Sequence, residues 1–204
     1  MSNYYWLLDP GHGGIIDGVY QTPGKRGPKL LDGRQVFEGD TNRKIVRQIS
    51  LFLDQKKIDY RVIVPELEDI SLADRVRRVN EAFRANPSSI LVSVHCNAGG
   101  GTGWEVYTSP GYTKSDKIAE YFFKSAERTF PEFRMRRGTV PGQNNKEADF
   151  YVLTRSICPA ILTENFFMDT LIPDGELLLS EGGLLRIAAM HVDAILKIEL
   201  ERPI

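Results

Sequence analysis

Histidine is scarce in this chain, with three in 204 residues, so any metal site built on imidazoles must use most of them. Cysteine is scarcer still, at two. Cys96 and Cys158 lie too far apart in sequence for a zinc knuckle and are too few for a disulfide framework. They read as small buried apolar side chains. No apolar run approaches the roughly 20 residues of a membrane-spanning helix. Charge of either sign is in no excess: 26 Lys and Arg against 27 Asp and Glu leave a formal net charge of -1. That balance excludes a generally basic nucleic-acid binder, and no block of like charge marks a tail. An anionic polymer would have to be met by local basic residues. The opening, MSNYYWLLDPGHGG, lacks a positive segment followed by a long apolar stretch, so it does not read as a signal peptide. As written, the chain is expected to stay in the cytoplasm unless something else exports it. Repeats, low-complexity segments and linkers are absent too.

What is present is an ordinary globular balance, 42% apolar and 26% charged, at a length that suits one domain. Apolar β-rich runs alternate with helical patterns, which predicts an α/β domain. Strands are expected at Tyr4 to Leu8, Arg61 to Val64, Ile90 to Cys96, Trp104 to Thr108 and Ala160 to Phe167. The third of these is apolar on both faces, as a central parallel strand should be. Helices are expected at Asp40 to Lys56, Ser115 to Arg128 and Glu181 to Glu199, each with an apolar face at helical spacing. Another helix begins after Ser71, with Asp74 completing a capping-box pattern, and runs to about Asn86. The expected fold is a single α/β domain over residues 1–204, a twisted and mostly parallel sheet of five to six strands with helices on both faces. Two stretches resist assignment, Gly13 to Phe37 and Arg136 to Ala148. Loops this long are binding loops or lids, or else surface excursions.

Three residues have the character of metal ligands. His12 follows the first strand in DPGHGG, Glu38 opens the first long helix, and His95 ends a central strand in SVHCNAG. Ends of parallel strands are where loops converge and sites form. Two imidazoles and one carboxylate suit zinc, whose catalytic sites keep three protein ligands and one open position. Such a zinc lowers the pKa of bound water and polarises a carbonyl, both of which amide hydrolysis needs. Glu164, in AILTENFF, is a charge inside an otherwise apolar strand. Packing alone does not put an unpaired carboxylate there, so it is the candidate general base. Each residue alone also has a plainer reading: a turn histidine, a core histidine, a helix-dipole carboxylate, or a Glu164 paired with Arg155. His191, mid-helix, reads as lying outside the site.

Taken together, LLDPGHGG, FEGDTNRKIV, SLADRVRRVNEA, ILVSVHCNAG with GWEVYTS, and PAILTENFFM resemble the type 3 zinc-dependent N-acetylmuramoyl-L-alanine amidases. The resemblance spans nearly the whole chain. It implies a twisted, mostly parallel sheet, one zinc held by His12, Glu38 and His95, and Glu164 as the catalytic carboxylate. It also implies a substrate, the amide between the lactyl group of N-acetylmuramic acid and L-alanine in peptidoglycan. The partners would then be the wall's glycan strand and stem peptide. Asn97, Arg75 and Asn42 fall on family positions with supporting roles, and Asp9 is a candidate for orienting the metal-bearing turn. Asn97, Arg26 and Arg34 are the candidate substrate contacts.

The chain departs from the family pattern in three places. The segment between His12 and Glu38 is long and basic, with Lys25, Arg26, Lys29 and Arg34 available to stem-peptide carboxylates or simply to solvent. Cys96 stands where a small residue is common; strand alternation points it away from His95. Asn165 replaces a frequent glycine after Glu164 and leaves the local backbone shape open. No wall-binding domain is expected within the chain, which fits a phage or prophage lysis enzyme or a trimmed secreted enzyme acting at the wall. Two other readings stay open: a zinc peptidase or deacetylase acting on another amide, and a catalytically silent wall-binding module.

Overall fold

A computed structural model describes residues 2–204. Its centre is a six-stranded sheet. In chain order the strands are β1 (Tyr5–Pro10), β4 (Tyr60–Val62), β5 (Ser89–Asn97), β6 (Trp104–Thr108), β7 (Lys146–Glu147) and β8 (Ala160–Phe167), while β2 (Ile15–Ile16) and β3 (Val19–Tyr20) form a separate hairpin. The spatial order is β4-β1-β5-β8-β6-β7. All neighbours run parallel except β6 against β8. The mostly parallel sheet expected from the alternating pattern is therefore present, with one reversed pair.

Helices cover both faces. α1 (Glu38–Lys56), α3 (Lys114–Thr129) and α6 (Glu181–Glu201) enclose the larger core with Trp6, Leu8, Val92 and Ile161. α2 (Leu72–Ala85) and the short α4 (Tyr151–Thr154) cover the other face over Leu7, Leu91 and Leu162. Successive residues of β1 thus go to opposite cores, the period-2 rule of a strand. Ser71 caps α2 by accepting from the Asp74 amide, as its sequence predicts. α3 carries a full capping box between Thr113 and Asp116. Strand and helix ends differ from expectation by one or two residues, where fraying makes boundaries soft. α4, an irregular turn at Leu171–Gly175 and α5 (Glu176–Leu179) carried no readable periodicity, being too short to show one. Both cysteines are buried and unbridged.

The two long stretches are ordered, and the reason is hydrogen bonding. Residues 13–37 hold the β2–β3 hairpin and a bridge between Arg26 and Phe37. This loop also meets the free amides that open α1. The Lys25 carbonyl accepts from Glu38 N at 3.0 Å, and the Tyr20 hydroxyl accepts from Gly39 N at 2.9 Å. A helix start buried without such partners would be costly. Residues 136–148 supply β7 and are tied to β6 through Glu105.

Candidate metal centre

The site forms at the carboxyl ends of β1, β5 and β8. β1 leads into the turn that carries His12, whose φ of 65° is left-handed. A non-glycine residue there needs external support. Two arginines provide it. The His12 carbonyl accepts from Arg43 Nη1 at 2.7 Å and from Arg75 Nη2 at 3.0 Å. Arg75 also donates to the Pro10 carbonyl at 2.8 Å and to Asp9 Oδ1 at 2.6 Å. The second Asp9 oxygen accepts from Ser93 Oγ at 2.7 Å. Asp9 therefore acts on the turn through Arg75, and does not touch His12. Two glycines are required by close approach. A Cβ on Gly11 would overlap the His95 imidazole, and one on Gly39 would overlap the Gly13 carbonyl.

These supports bring three ligand-type atoms together. Glu38 Oε1 lies 3.2 Å from His12 Nε2 and 3.1 Å from His95 Nδ1. The three donor atoms lie within 4.8 Å of one another. Burial alone would raise the Glu38 pKa, but the two histidine hydrogen bonds more than offset it and hold it at about 2. Glu38 is thus an anion at neutral pH. Cys96 faces the opposite side of β5 from His95, as alternation requires. Its thiol lies 3.4 Å from Asn42 Oδ1, and Asn42 donates to the Gly11 carbonyl.

Glu164 sits beside His95 in the β5–β8 register and beside Glu105 in the β6–β8 register. Its Oε2 is buried with no hydrogen-bond partner. Among the described residues it forms no ion pair, so the alternative pairing with Arg155 is absent. Burial, reinforced by Glu38 and Glu105 against the pull of His95, pushes its pKa up to about 7. An orphaned carboxylate oxygen next to an N, N, O donor set fits a zinc centre that brings water. Past Asn165 the strand breaks register and Phe166 adopts a φ of 66°. Its ring is locked by Phe130 and Phe133 at centroid distances of 4.9 and 4.7 Å. Asn165 turns away and bonds Trp104 Nε1 and the His95 carbonyl.

A cavity of about 640 Å³ opens over these groups. Its lining includes Asn97, Lys25, Phe150 and Tyr151. Arg26 and Arg34, the other expected substrate contacts, are not among the residues that line it. Arg34 lies at a loop tip with its charge turned to Asp32 at 2.7 Å. Nor is His191 part of it; that residue is buried under the sheet. Glu105 was overlooked in the sequence. It is buried in β6 and accepts from Asn97, Tyr107, Arg136 and Lys146. The signal was the same as for Glu164, a lone carboxylate in an apolar strand.

A family model described as N-acetylmuramoyl-L-alanine amidase matches residues 7–197. The chain belongs to this amidase family. It is 30% identical to an endolysin of Bacillus phage SPP1 over 97% of its own length and 66% of that protein. It is 28% identical to the N-acetylmuramoyl-L-alanine amidase CwlM of Bacillus licheniformis, over 93% of its length and 66% of that protein. The chain thus spans just under two thirds of the length of these curated relatives. The crystal structure of an N-acetylmuramoyl-L-alanine amidase from Clostridium difficile 630 superposes with a TM-score of 0.77 at 26% identity, covering 99% of this chain and 100% of that one. The amidase fold is therefore shared from end to end of this chain.

Proposed function

We propose that this protein hydrolyses the amide between the lactyl group of N-acetylmuramic acid and L-alanine in peptidoglycan, with His12, Glu38 and His95 holding one zinc ion and Glu164 acting as general base. The observation that carries the reading is the unpartnered Glu164 Oε2 beside the three converging donor atoms. When bound, zinc would supply Lewis acidity to the scissile carbonyl and lower the pKa of water toward neutrality.

The chain's own residues do the rest. Glu164 takes a proton from the attacking water and delivers it to the departing L-alanine nitrogen. Its pKa of about 7 suits both halves of that transfer. Glu38, an anion, would offer its carboxylate to the ion beside the two imidazole nitrogens that converge on it. Arg75 and Arg43 hold the His12 turn in its left-handed form. Asn97 lies in the cavity wall, with its amide oriented by Glu105 at 2.7 Å, where it can meet a substrate carbonyl.

Mass spectrometry of fragments released from purified peptidoglycan tests this, with zinc and then with a chelator. Zinc-dependent release of stem peptides that begin with L-alanine, from glycan that keeps its lactyl groups, is the expected result. Shortened peptides would indicate a zinc peptidase instead, and zinc-loaded protein that releases nothing would indicate a binding module.

A further inference from the structure

The cavity lining contains two basic residues, Lys25 and Arg75. Arg75 is buried and fully engaged with Asp9 and with the carbonyls of Ile70, Pro10 and His12. Lys25 is different. It is exposed at the cavity, and among the described residues its ammonium makes no ion pair or hydrogen bond. Its backbone is not free to wander. The Lys25 carbonyl accepts from Glu38 N at 3.0 Å and from the Tyr20 hydroxyl at 2.8 Å, and its amide donates to the Thr22 carbonyl at 2.9 Å. Lys25 is thus fastened to the residue that anchors the metal centre, while its charged end faces open space. That charge is felt across the cavity at Glu164.

From these placements, and resting on the amidase reading above, we infer that Lys25 recognises the free carboxylate of the second stem-peptide residue. The chemistry of the substrate defines the reach. In a stem of L-alanine followed by γ-linked D-glutamate, the nearest free carboxylate is the α-carboxylate of that glutamate. It lies two residue steps from the scissile carbonyl, about 7 Å in an extended chain. Lys25 starts from beside the metal centre, its carbonyl bonded to Glu38 N, and its side chain lines the same cavity. Asp69 also lines this rim of the cavity, and Lys25 is the side chain there that offers a cation to a substrate carboxylate. Arg26 and Arg34, on the same loop, cannot serve, since neither lines the cavity. Lys25 is therefore a specificity residue that separates stems carrying D-glutamate from stems carrying its amide, D-isoglutamine.

The test compares two muramyl tetrapeptides that differ only in that group, acid against amide. Calorimetry on zinc-loaded Glu164→Gln measures their binding, and wild-type turnover measures kcat/KM. The acid form is expected to bind about five-fold more tightly, the scale of a rim charge pair. Lys25→Met should erase the ratio, Lys25→Arg should keep it, and added salt should shrink it. A ratio near one in the parent, or one that survives Lys25→Met, overturns the inference. If wild-type protein binds both ligands and cleaves neither, the amidase reading fails while the binding ratio still decides the role of Lys25.

Discussion

Two neighbouring patches on β8 treat their polar groups in opposite ways. Thr163 and Asn165 point into the larger core. There Thr163 Oγ1 lies 3.0 Å from His191 Nε2, His191 Nδ1 lies 2.9 Å from the Ile187 carbonyl, and Asn165 bonds Trp104 and the His95 carbonyl. Both ring nitrogens are satisfied with Nδ1 as the donor, the pattern of a neutral imidazole. Glu164, between Thr163 and Asn165 in sequence, points the other way and leaves a buried oxygen with no partner. Each unmet buried polar atom costs stability. A fold that satisfies one face and leaves the other open marks the open face as the place that waits for a ligand. The same strand therefore carries a structural histidine contact on one side and the unpartnered Glu164 carboxylate, the proposed general base, on the other.

Breaking the open side should have the largest effect. His95→Ala is expected to lose both zinc and turnover, as read by metal analysis and by peptide release. Glu164→Gln should keep zinc but lower kcat by about 10²–10⁴-fold, the usual contribution of a general base. Parent-like activity in Glu164→Gln would remove the residue from the mechanism. Next comes the support beneath the metal turn. Arg75→Lys cannot reproduce a guanidinium that reaches Asp9 and three carbonyls. Zinc affinity or activity should fall about 10–100-fold. An unchanged zinc titration would show that the turn holds itself.

The satisfied side should answer to pH through stability. Burial pulls the His191 pKa down to about 4, against the Ile187 hydrogen bond, which raises it. Its folded value thus lies below the ordinary 6.5. As pH falls below 6.5 the unfolded chain takes up the proton first, so this contribution is full above that point. It is lost progressively toward pH 4, by about 3 kcal/mol in all. Urea unfolding at pH 7 and pH 4.5, with His191→Gln as the control, should show a smaller pH slope in the variant. Equal slopes would mean other groups set the acid sensitivity. The smallest effect is expected from Arg34→Ala, which removes only an exposed pair with Asp32. Activity should change less than about two-fold and stability by less than about 0.5 kcal/mol. A larger loss would return Arg34 to the substrate site.

Much of this was legible along the chain because strand and helix periods are local properties of the backbone. Alternation along β5 assigns His95 and Cys96 to opposite faces, and Ser71 with Asp74 marks where α2 begins. His12, Glu38, His95 and Glu164 were readable by residue type and by their positions at strand ends and a helix start. The partners were not readable. Asp9 reaches the metal turn through Arg75, 66 positions away. Lys25 lines the cavity while Arg26 beside it does not. Residues 136–148 add an edge strand because Arg136 and Lys146 close on Glu105. Each of these depends on how distant segments close on one another. The sequence alone therefore determined the alternating elements and named the candidate site residues, since both follow from covalent geometry and side-chain chemistry. Only the tertiary structure decided which charges cancel and which stay open, because that balance is set by contacts between residues the chain holds far apart.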